Sequence, residues 1–171
     1  MQQLYDELRN ISDDYGKGIE DYLVEGVSLA KEFLLSANGP SELVDCIDYT
    51  YYNNDYGEIY INGTSSEKLL SIYMEYGTGY TGQSNPHRRL SPDNYDLNDH
   101  GYEGWVYFNE KYGKFVRTTG MIPKAYMYKT YLTLRRQILQ SDDRLSIEFV
   151  VGDEYTSPSI IIRRLRNYSR T

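Results

Sequence analysis

A chain of 171 residues and 20.0 kDa is long enough to bury one hydrophobic core. Its net charge of −7 argues against a protein that coats DNA, because such proteins neutralise many phosphates with lysine and arginine. No apolar run approaches the roughly 20 residues that a membrane-spanning helix needs, and a single cysteine excludes a fold held by internal disulfides.

The charge is divided unevenly along the chain. Residues 1–62 hold 13 acids and 3 bases, a net charge of −10, whereas residues 63–171 hold 12 acids and 15 bases, a net charge of +3. This polarity suits a head-to-tail contact between copies, in which an acidic surface meets a basic one. A solvated acidic helix pair with a basic tail would give the same pattern, and both interpretations stay open.

Tyrosine is unusually frequent, with 20 residues in the chain. Tyrosine offers a large rigid contact area and a hydroxyl that tolerates water, so it is enriched at protein interfaces. It is also a good strand former. We favour the interface interpretation.

The first half of the chain predicts a helix followed by strands. Apolar residues recur near the 3.6-residue helical period from Ile19 to Leu34, and Asn38-Gly39-Pro40 ends this helix. Alternation then predicts strands over residues 43–52 and 58–61. Leu70, Ile72, Met74 and Tyr76 alternate as well, although residues 65–72 also fit a helical turn.

Residues 77–122 are rich in Gly, Asn, Asp and Ser and predict a long flap. An unstructured loop of this length is improbable in a compact domain. Residues 105–108 and 114–118 look like two short strands, so we expect the flap to contain a β-hairpin that projects from the core.

The last part of the chain predicts one more helix and one more hairpin. Pro123 suits the first turn of a helix over residues 124–140. Its predicted buried stripe comprises Ala125, Tyr128, Tyr131, Leu132, Arg135, Ile138 and Leu139. Alternation over residues 145–151 and the β-branched residues 160–162 then predict an added C-terminal hairpin.

These elements predict a single α+β domain over residues 1–171. A long N-terminal helix and a helix in the C-terminal half pack on a small antiparallel sheet. Residues 1–14 form an N-terminal arm, residues 77–122 form the flap, and residues 141–171 form a C-terminal extension.

The residues give little support for catalysis. Metal-ligand residue types cluster in the flap, but their spacing matches no helical or paired-ligand motif; they are His87, Asp93, Asp96, Asp99 and His100. Cys46 is predicted to lie inside a strand, and no histidine stands in a persuasive relation to it. The glycines after Glu75 lack the Lys-Ser/Thr ending of a phosphate-binding loop. We therefore predict no enzyme, no cofactor and no metal site, and keep a metal-dependent hydrolase or nuclease centred on His87 and His100 as an alternative.

Two short motifs carry a family resemblance. Residues 73–79 read Tyr-Met-Glu-Tyr-Gly-Thr-Gly, and residues 118–123 read Thr-Thr-Gly-Met-Ile-Pro ahead of the predicted helix. This pairing, together with the order helix, sheet, flap and helix over residues 17–140, resembles the head–tail joining and tail-completion proteins of long-tailed bacteriophages and phage-tail-like particles. That family includes minor tail components and neck proteins.

The resemblance implies a structural virion protein, made in the host bacterial cytoplasm, that forms a ring at the head–tail junction. Such rings are commonly hexameric and contact connector or portal-side proteins and tail-tube proteins. DNA only passes through the lumen, and no membrane is involved. Whether the ring would be a tail terminator, a tail-completion ring or a neck connector stays open, as does the alternative of a monomeric Tyr-rich module that binds a sugar or peptide.

The resemblance also implies the site residues. The flap should leave the sheet at a hinge, reach a neighbouring copy, and be supported by the start of the last helix. The hinge and interface candidates are Glu75, Tyr76, Gly77, Thr78, Gly79, Trp105, Tyr107, Phe108, Pro123, Tyr126 and Tyr128.

Overall fold

A computed structural model describes residues 18–52, 55–89, 102–109, 112–141, 144–152 and 156–165. The predicted arm over residues 1–14 lies outside these ranges, as do Asp93, Asp96, Asp99 and His100. The helices are α1 (Ile19–Ser36), α2 (Ser41–Asp45), α3 (Ser65–Tyr76), α4 (Gly79–Ser84) and α5 (Tyr126–Gln140). The strands are β1 (Ile47–Tyr52), β2 (Tyr56–Ile61), β3 (Trp105–Asn109), β4 (Lys114–Thr118), β5 (Leu145–Val150) and β6 (Ser159–Arg164).

Four antiparallel strands in the order β1-β2-β6-β5 form the central sheet. The predicted α+β fold is therefore confirmed. The C-terminal hairpin, expected as an addition, supplies half of this sheet, and β6 lies inside it between β2 and β5. The reason is burial: Ile160 and Ile162 are wholly buried in the core.

Helices α1 and α5 pack against each other and against the sheet, which places the core between them. Leu23 and Leu34 of α1 and Leu134 of α5 are wholly buried. A Cβ atom at Gly26 would lie 2.3 Å from the Cδ1 atom of Ile59. The absence of a side chain at this position therefore allows α1 to approach the sheet closely. None of the helices within the described residues combines the length and apolar character needed to cross a bilayer.

Two predicted strand segments are helical, so those predictions were wrong. Residues 43–46 belong to α2 and its C-cap, because one helical turn buries the adjacent side chains of Leu43 and Val44 together. Cys46 is thus the C-cap of α2, ahead of β1 and not inside a strand.

Helix α3 replaces the strand predicted over residues 70–76, and it begins at residue 65, where the helical alternative over residues 65–72 placed it. A capping box begins it, since the Thr64 N–H donates to Glu67 Oε2 at 2.7 Å and the Glu67 N–H donates to Thr64 Oγ1. Its inner face is formed by Ser71, Met74 and Glu75, at helical spacings of three and four residues. Because two of these residues are polar, the apolar period of the helix is hidden.

Helix α5 begins two residues later than predicted, and its buried stripe is rotated. Pro123 precedes the helix instead of lying in its first turn, and Ala125 is the N-cap in a left-handed conformation with φ 53°. The buried residues include Met127, Thr130 and Leu134, whereas two members of the predicted stripe, Leu132 and Leu139, are exposed.

Candidate functional site

The two motifs that carry the resemblance contact each other directly. Thr78 and Met121 form an isolated antiparallel bridge, in which each main-chain N–H donates to the other residue's carbonyl at 2.9 and 3.1 Å. The Thr78 hydroxyl also accepts from the Met121 N–H at 3.1 Å. We call the contact region of residues 75–79 and 119–128 the inter-motif junction.

Two glycines are required where these segments meet. Gly77 has φ 79°, and a Cβ atom there would lie 2.4 Å from the Met121 carbonyl oxygen. Gly120 has φ 113°, and a Cβ atom there would lie 1.9 Å from the Thr78 carbonyl oxygen. Both positions thus combine a left-handed backbone with close approach of another main chain, which only glycine accommodates without strain.

The Glu75 side chain caps helix α5 from a distance of some fifty residues in sequence. Its Oε2 accepts from the Met127 N–H at 2.8 Å, and its Oε1 accepts from the Tyr128 N–H at 2.9 Å. The N-cap residue itself, Ala125, has no side-chain oxygen to offer. The carboxylate is wholly buried, and the two N–H donors and the positive end of the helix dipole compensate its loss of hydration.

Main-chain bonds from the two residues that precede α5 add to this link, again with the donors on the α5 side and the acceptors on α3. The N–H groups of Lys124 and Ala125 donate to the carbonyls of Met74 and Glu75 at 2.8 and 3.1 Å. The last carbonyls of α3 and the N–H groups in the first turn of α5 have no partner within their own helix; residues 124 and 125 donate to the former, and the Glu75 carboxylate accepts from two of the latter. At the junction each helix end therefore satisfies the other.

His87 closes the buried side of the junction. Its Nδ1 accepts from the Arg89 N–H at 3.1 Å, so the ring proton of the neutral imidazole is on Nε2. Nε2 lies 3.2 Å from Glu75 Oε1. The ring packs edge-on against Tyr76 and Tyr128, with centroids 4.9 and 5.1 Å apart.

Two tyrosines of the junction, Tyr76 and Tyr126, use their hydroxyls within the chain. Tyr76 donates to the carbonyl oxygen of Val151, which follows β5. The wholly buried hydroxyl of Tyr126 lies 2.9 Å from Ser71 Oγ on α3. Burial raises the pKa of Tyr126 well above its usual range, so this hydroxyl stays protonated.

The β3–β4 hairpin differs from the buried junction, because several of its apolar side chains are exposed. Across the register, Val106, Phe108, Phe115 and Arg117 share one face, which we call the hairpin face. Val106 is 60 %, Phe108 51 % and Phe115 73 % exposed, with the two phenylalanine rings 5.3 Å apart. Among the described helices and strands, the hairpin packs extensively on none.

The root of the hairpin is nonetheless held by the junction. The Thr81 N–H donates to the Thr119 carbonyl at 3.0 Å, and the hydroxyls of the same two residues lie 2.8 Å apart. Trp105 is half-buried, and its ring lies against Gly79, where a Cβ atom would come within 3.0 Å of Cζ3. The hairpin is therefore fixed at its base and exposed along its length.

The structure thus divides the predicted site residues into two groups. The junction collects Glu75, Tyr76, Gly77, Thr78, Gly79, Pro123, Tyr126 and Tyr128, with Trp105 at its edge. Tyr107 and Phe108 lie outside it, on the hairpin. The flap departs from the end of helix α3 and not from the sheet, so that part of the prediction was wrong. The hinge role of the glycines stays a prediction.

Sequence reasoning missed the place of His87 in this group. The sequence indicated His87 only as a residue in the flap of a type that binds metals. In the structure its partners are Glu75, Tyr76, Tyr128 and the Arg89 main chain. Within the described ranges, no cluster of three or more His, Cys, Asp or Glu side chains is placed to hold a metal ion. Comparison with protein-family models, with curated proteins and with solved structures finds no match for this chain.

Proposed function

We propose that this chain is a structural subunit that assembles into a ring through its β3–β4 hairpin, in the manner of the phage head–tail joining proteins it resembles. The observation that carries the proposal is the hairpin face. Three large apolar side chains stand exposed together on a projecting two-stranded ribbon. Exposed contiguous apolar surface of this kind marks interaction sites.

An isolated two-stranded hairpin is at best marginally stable in water. This one gains support at its base from Trp105 and Thr119, but the hairpin face receives no cover from the described helices and strands. Covering it with another protein surface would bury the phenylalanine pair and stabilise the ribbon at once.

The buried junction favours a structural role over a catalytic one. The Glu75 carboxylate accepts hydrogen bonds from the start of α5, and His87 is nine-tenths or more buried beside it. Such an arrangement is suited to hold the projecting β3–β4 hairpin in a fixed direction.

A ring at the head–tail junction of a virion is the setting that the two motifs favour. Its neighbours would be connector or portal-side proteins and tail-tube proteins, with DNA passing through the lumen. The uneven charge of the chain supports a head-to-tail contact between copies, which closes into a ring when the rotation between neighbours allows it.

The test is the native mass measured by light scattering over a wide concentration range. Wild-type protein should move from 20.0 kDa to a defined multiple of it, and electron microscopy of that species should show rings with a central opening. Phe115→Ser should shift the equilibrium to the monomer, because it removes an exposed apolar side chain from the hairpin face.

Leu139→Ser is the matched control, since Leu139 is exposed to nearly the same degree as Phe115 but lies on α5. Assembly that survives Phe115→Ser and is lost with Leu139→Ser would place the interface on α5 and refute the hairpin proposal. A monomer at all concentrations, with no rings on tail-tube template, would refute assembly itself.

A monomeric outcome would direct attention to a second candidate function, the binding of a flat ligand such as a sugar or an aromatic peptide. The favouring observation is an exposed aromatic stack between β1 and β2. The rings of Tyr52 and Tyr56 lie 4.5 Å apart and nearly parallel, and Arg163 stands over Tyr56 at 5.8 Å. Titration with oligosaccharides, followed by tyrosine fluorescence, would test it.

A further inference from the structure

Resting on the proposed function, we infer that the hairpin face of one copy docks on the outer face of helix α1 of a second copy. The acceptor surface must itself expose apolar side chains. Among the described helices, α1 exposes Val24 and Leu35, α3 exposes Leu69 and Tyr73, and α5 exposes Leu132 and Leu139.

The outer face of α1 has an apolar centre with acidic flanks. Val24, Ser28 and Leu35 follow one another at helical spacing along its middle, and Val24 and Leu35 are 52 % and 56 % exposed. Exposed acids border this line on both sides: Glu20 on one side, and Asp21 and Glu32 on the other. We call these residues the helix face; Lys31, half-buried, is the one base on its border.

The hairpin carries the complementary charge. Arg117 lies on the hairpin face, whereas Lys114 is exposed at the turn end of β4 on the opposite face of the ribbon. The Arg117 guanidinium donates to the Glu103 carbonyl at 2.8 and 3.2 Å, which holds it in place. An apolar centre with Arg117 beside it thus faces an apolar centre with acidic neighbours, the arrangement that selects one partner surface over another.

Charge also disfavours the other helices as acceptors. The exposed face of α5 carries Lys129, Arg135 and Arg136 beside its two leucines, so it would repel the basic hairpin. The exposed apolar side chains of α3 have the exposed Ser65 and Ser66 beside them and no exposed acid on their helix, so they offer no opposite charge to the hairpin. Of α1, α3 and α5, only α1 places exposed acids beside its exposed apolar side chains, and we therefore take it as the acceptor.

The dimensions of the two faces agree. From residue 21 to residue 35 the helix face runs about 21 Å, at 1.5 Å per residue. A five-residue strand of the hairpin runs about 16 Å. In the described part of one chain the hairpin and α1 make no extensive contact, so each is accessible to a neighbour. Because the two faces differ, the contact is head-to-tail and can propagate around a ring.

The test exchanges the charges of the two faces. One variant carries Lys114→Glu and Arg117→Glu, and the other carries Glu20→Lys and Glu32→Lys. Each alone should self-associate at least roughly 100-fold more weakly than wild type, because like charges then oppose each other. An equimolar mixture should assemble again, since the reversed hairpin meets the reversed helix while the unaltered hairpin meets the unaltered helix.

The matched control is Glu42→Lys with Glu148→Lys, which makes the same change in net charge at exposed acids outside α1; it should assemble as wild type does. Circular dichroism checks that each variant is folded, and Arg117→Gln, which removes the charge from the hairpin face, replaces the hairpin pair if charge reversal at Arg117 unfolds the chain.

Helix-reversed protein that assembles normally, or a mixture that fails to assemble, overturns this inference. In either case the ring proposal survives if wild-type protein assembles and Phe115→Ser does not. A wild-type protein that stays monomeric at all concentrations and forms no rings on tail-tube template refutes the ring proposal first, and the inference with it.

Discussion

Glu75→Gln is the sharpest test of how α3 and α5 are joined. The substitution preserves the size of the side chain but replaces one carboxylate oxygen with an NH₂ group. Each oxygen of Glu75 accepts from a different main-chain N–H, one from Met127 and one from Tyr128. Either orientation of the amide therefore sets a donor against a donor, and one buried N–H of α5 loses its acceptor.

The expected cost is about 3 kcal/mol in the free energy of unfolding. Losing a hydrogen bond to a charged group costs about 1.5–3 kcal/mol. That figure already includes the cost of leaving the buried donor without an acceptor, which is about 1–3 kcal/mol. Removing the negative charge from the helix N-terminus adds about 0.3–1 kcal/mol. Domains are stable by only about 5–15 kcal/mol, so this change is large.

Urea denaturation followed by circular dichroism, at a concentration where light scattering finds one species, measures the change. The midpoint should fall while the slope with denaturant stays constant. Glu148→Gln is the control, because Glu148 is exposed on β5; it should stay within about 0.5 kcal/mol of wild type. A Glu75→Gln protein that also stays within about 0.5 kcal/mol would refute the capping role of this carboxylate.

Four further substitutions test other parts of the structure. Gly77→Ala should cost about 1–3 kcal/mol in unfolding free energy from backbone strain alone, given φ 79°, and an unaltered urea midpoint would contradict this. Tyr126→Phe should cost about 1 kcal/mol, because it leaves the buried Ser71 hydroxyl without this partner; thermal unfolding would show it. Thr64→Ala should cost about 1 kcal/mol as a lost N-cap. The N–H and then the hydroxyl of Thr64 lower the pKa of Glu67 from 4.5, so stability present above pH 4.5 is lost as pH falls through the lower folded value. Glu67→Gln should reduce the fall of the unfolding free energy at acidic pH. An unchanged dependence on pH would contradict the role of the Thr64–Glu67 capping box.

Helix α1, which the sequence predicted, and helix α3, which was predicted as a strand, differ in the polarity of their buried faces. Helix α1 has an apolar stripe and a clear stop, so its period was visible. Helix α3 buries Ser71 and Glu75 on its inner face, which broke the apolar period and left an accidental alternation. The local signal that identifies α3 is its capping box at Thr64 and Glu67. The buried stripe of α5 was misplaced for the same reason, since Thr130 belongs to it.

Long-range relations were beyond local patterns. The position of β6 inside the sheet depends on which strands pair, and no turn between β2 and β6 specifies that pairing. The capping of α5 by Glu75 joins residues some fifty positions apart, so no spacing rule relates them. One clue was present: Ala125 offers α5 no capping oxygen. The motif residues could be identified from the sequence, but the hydrogen bonds between the two motifs could not be predicted from it.

The junction and the hairpin form one mechanical arrangement. Residue 118 ends β4, and the next residues are bonded at once to Thr78 and Thr81, while Trp105 at the start of β3 rests on Gly79. Both strands of the hairpin thus begin or end on the junction, which Glu75 ties to α5. A surface loop free to move would lose conformational entropy when it docks. A hairpin whose root is already fixed loses less, so a small apolar face can suffice for assembly when the same contact recurs around a ring.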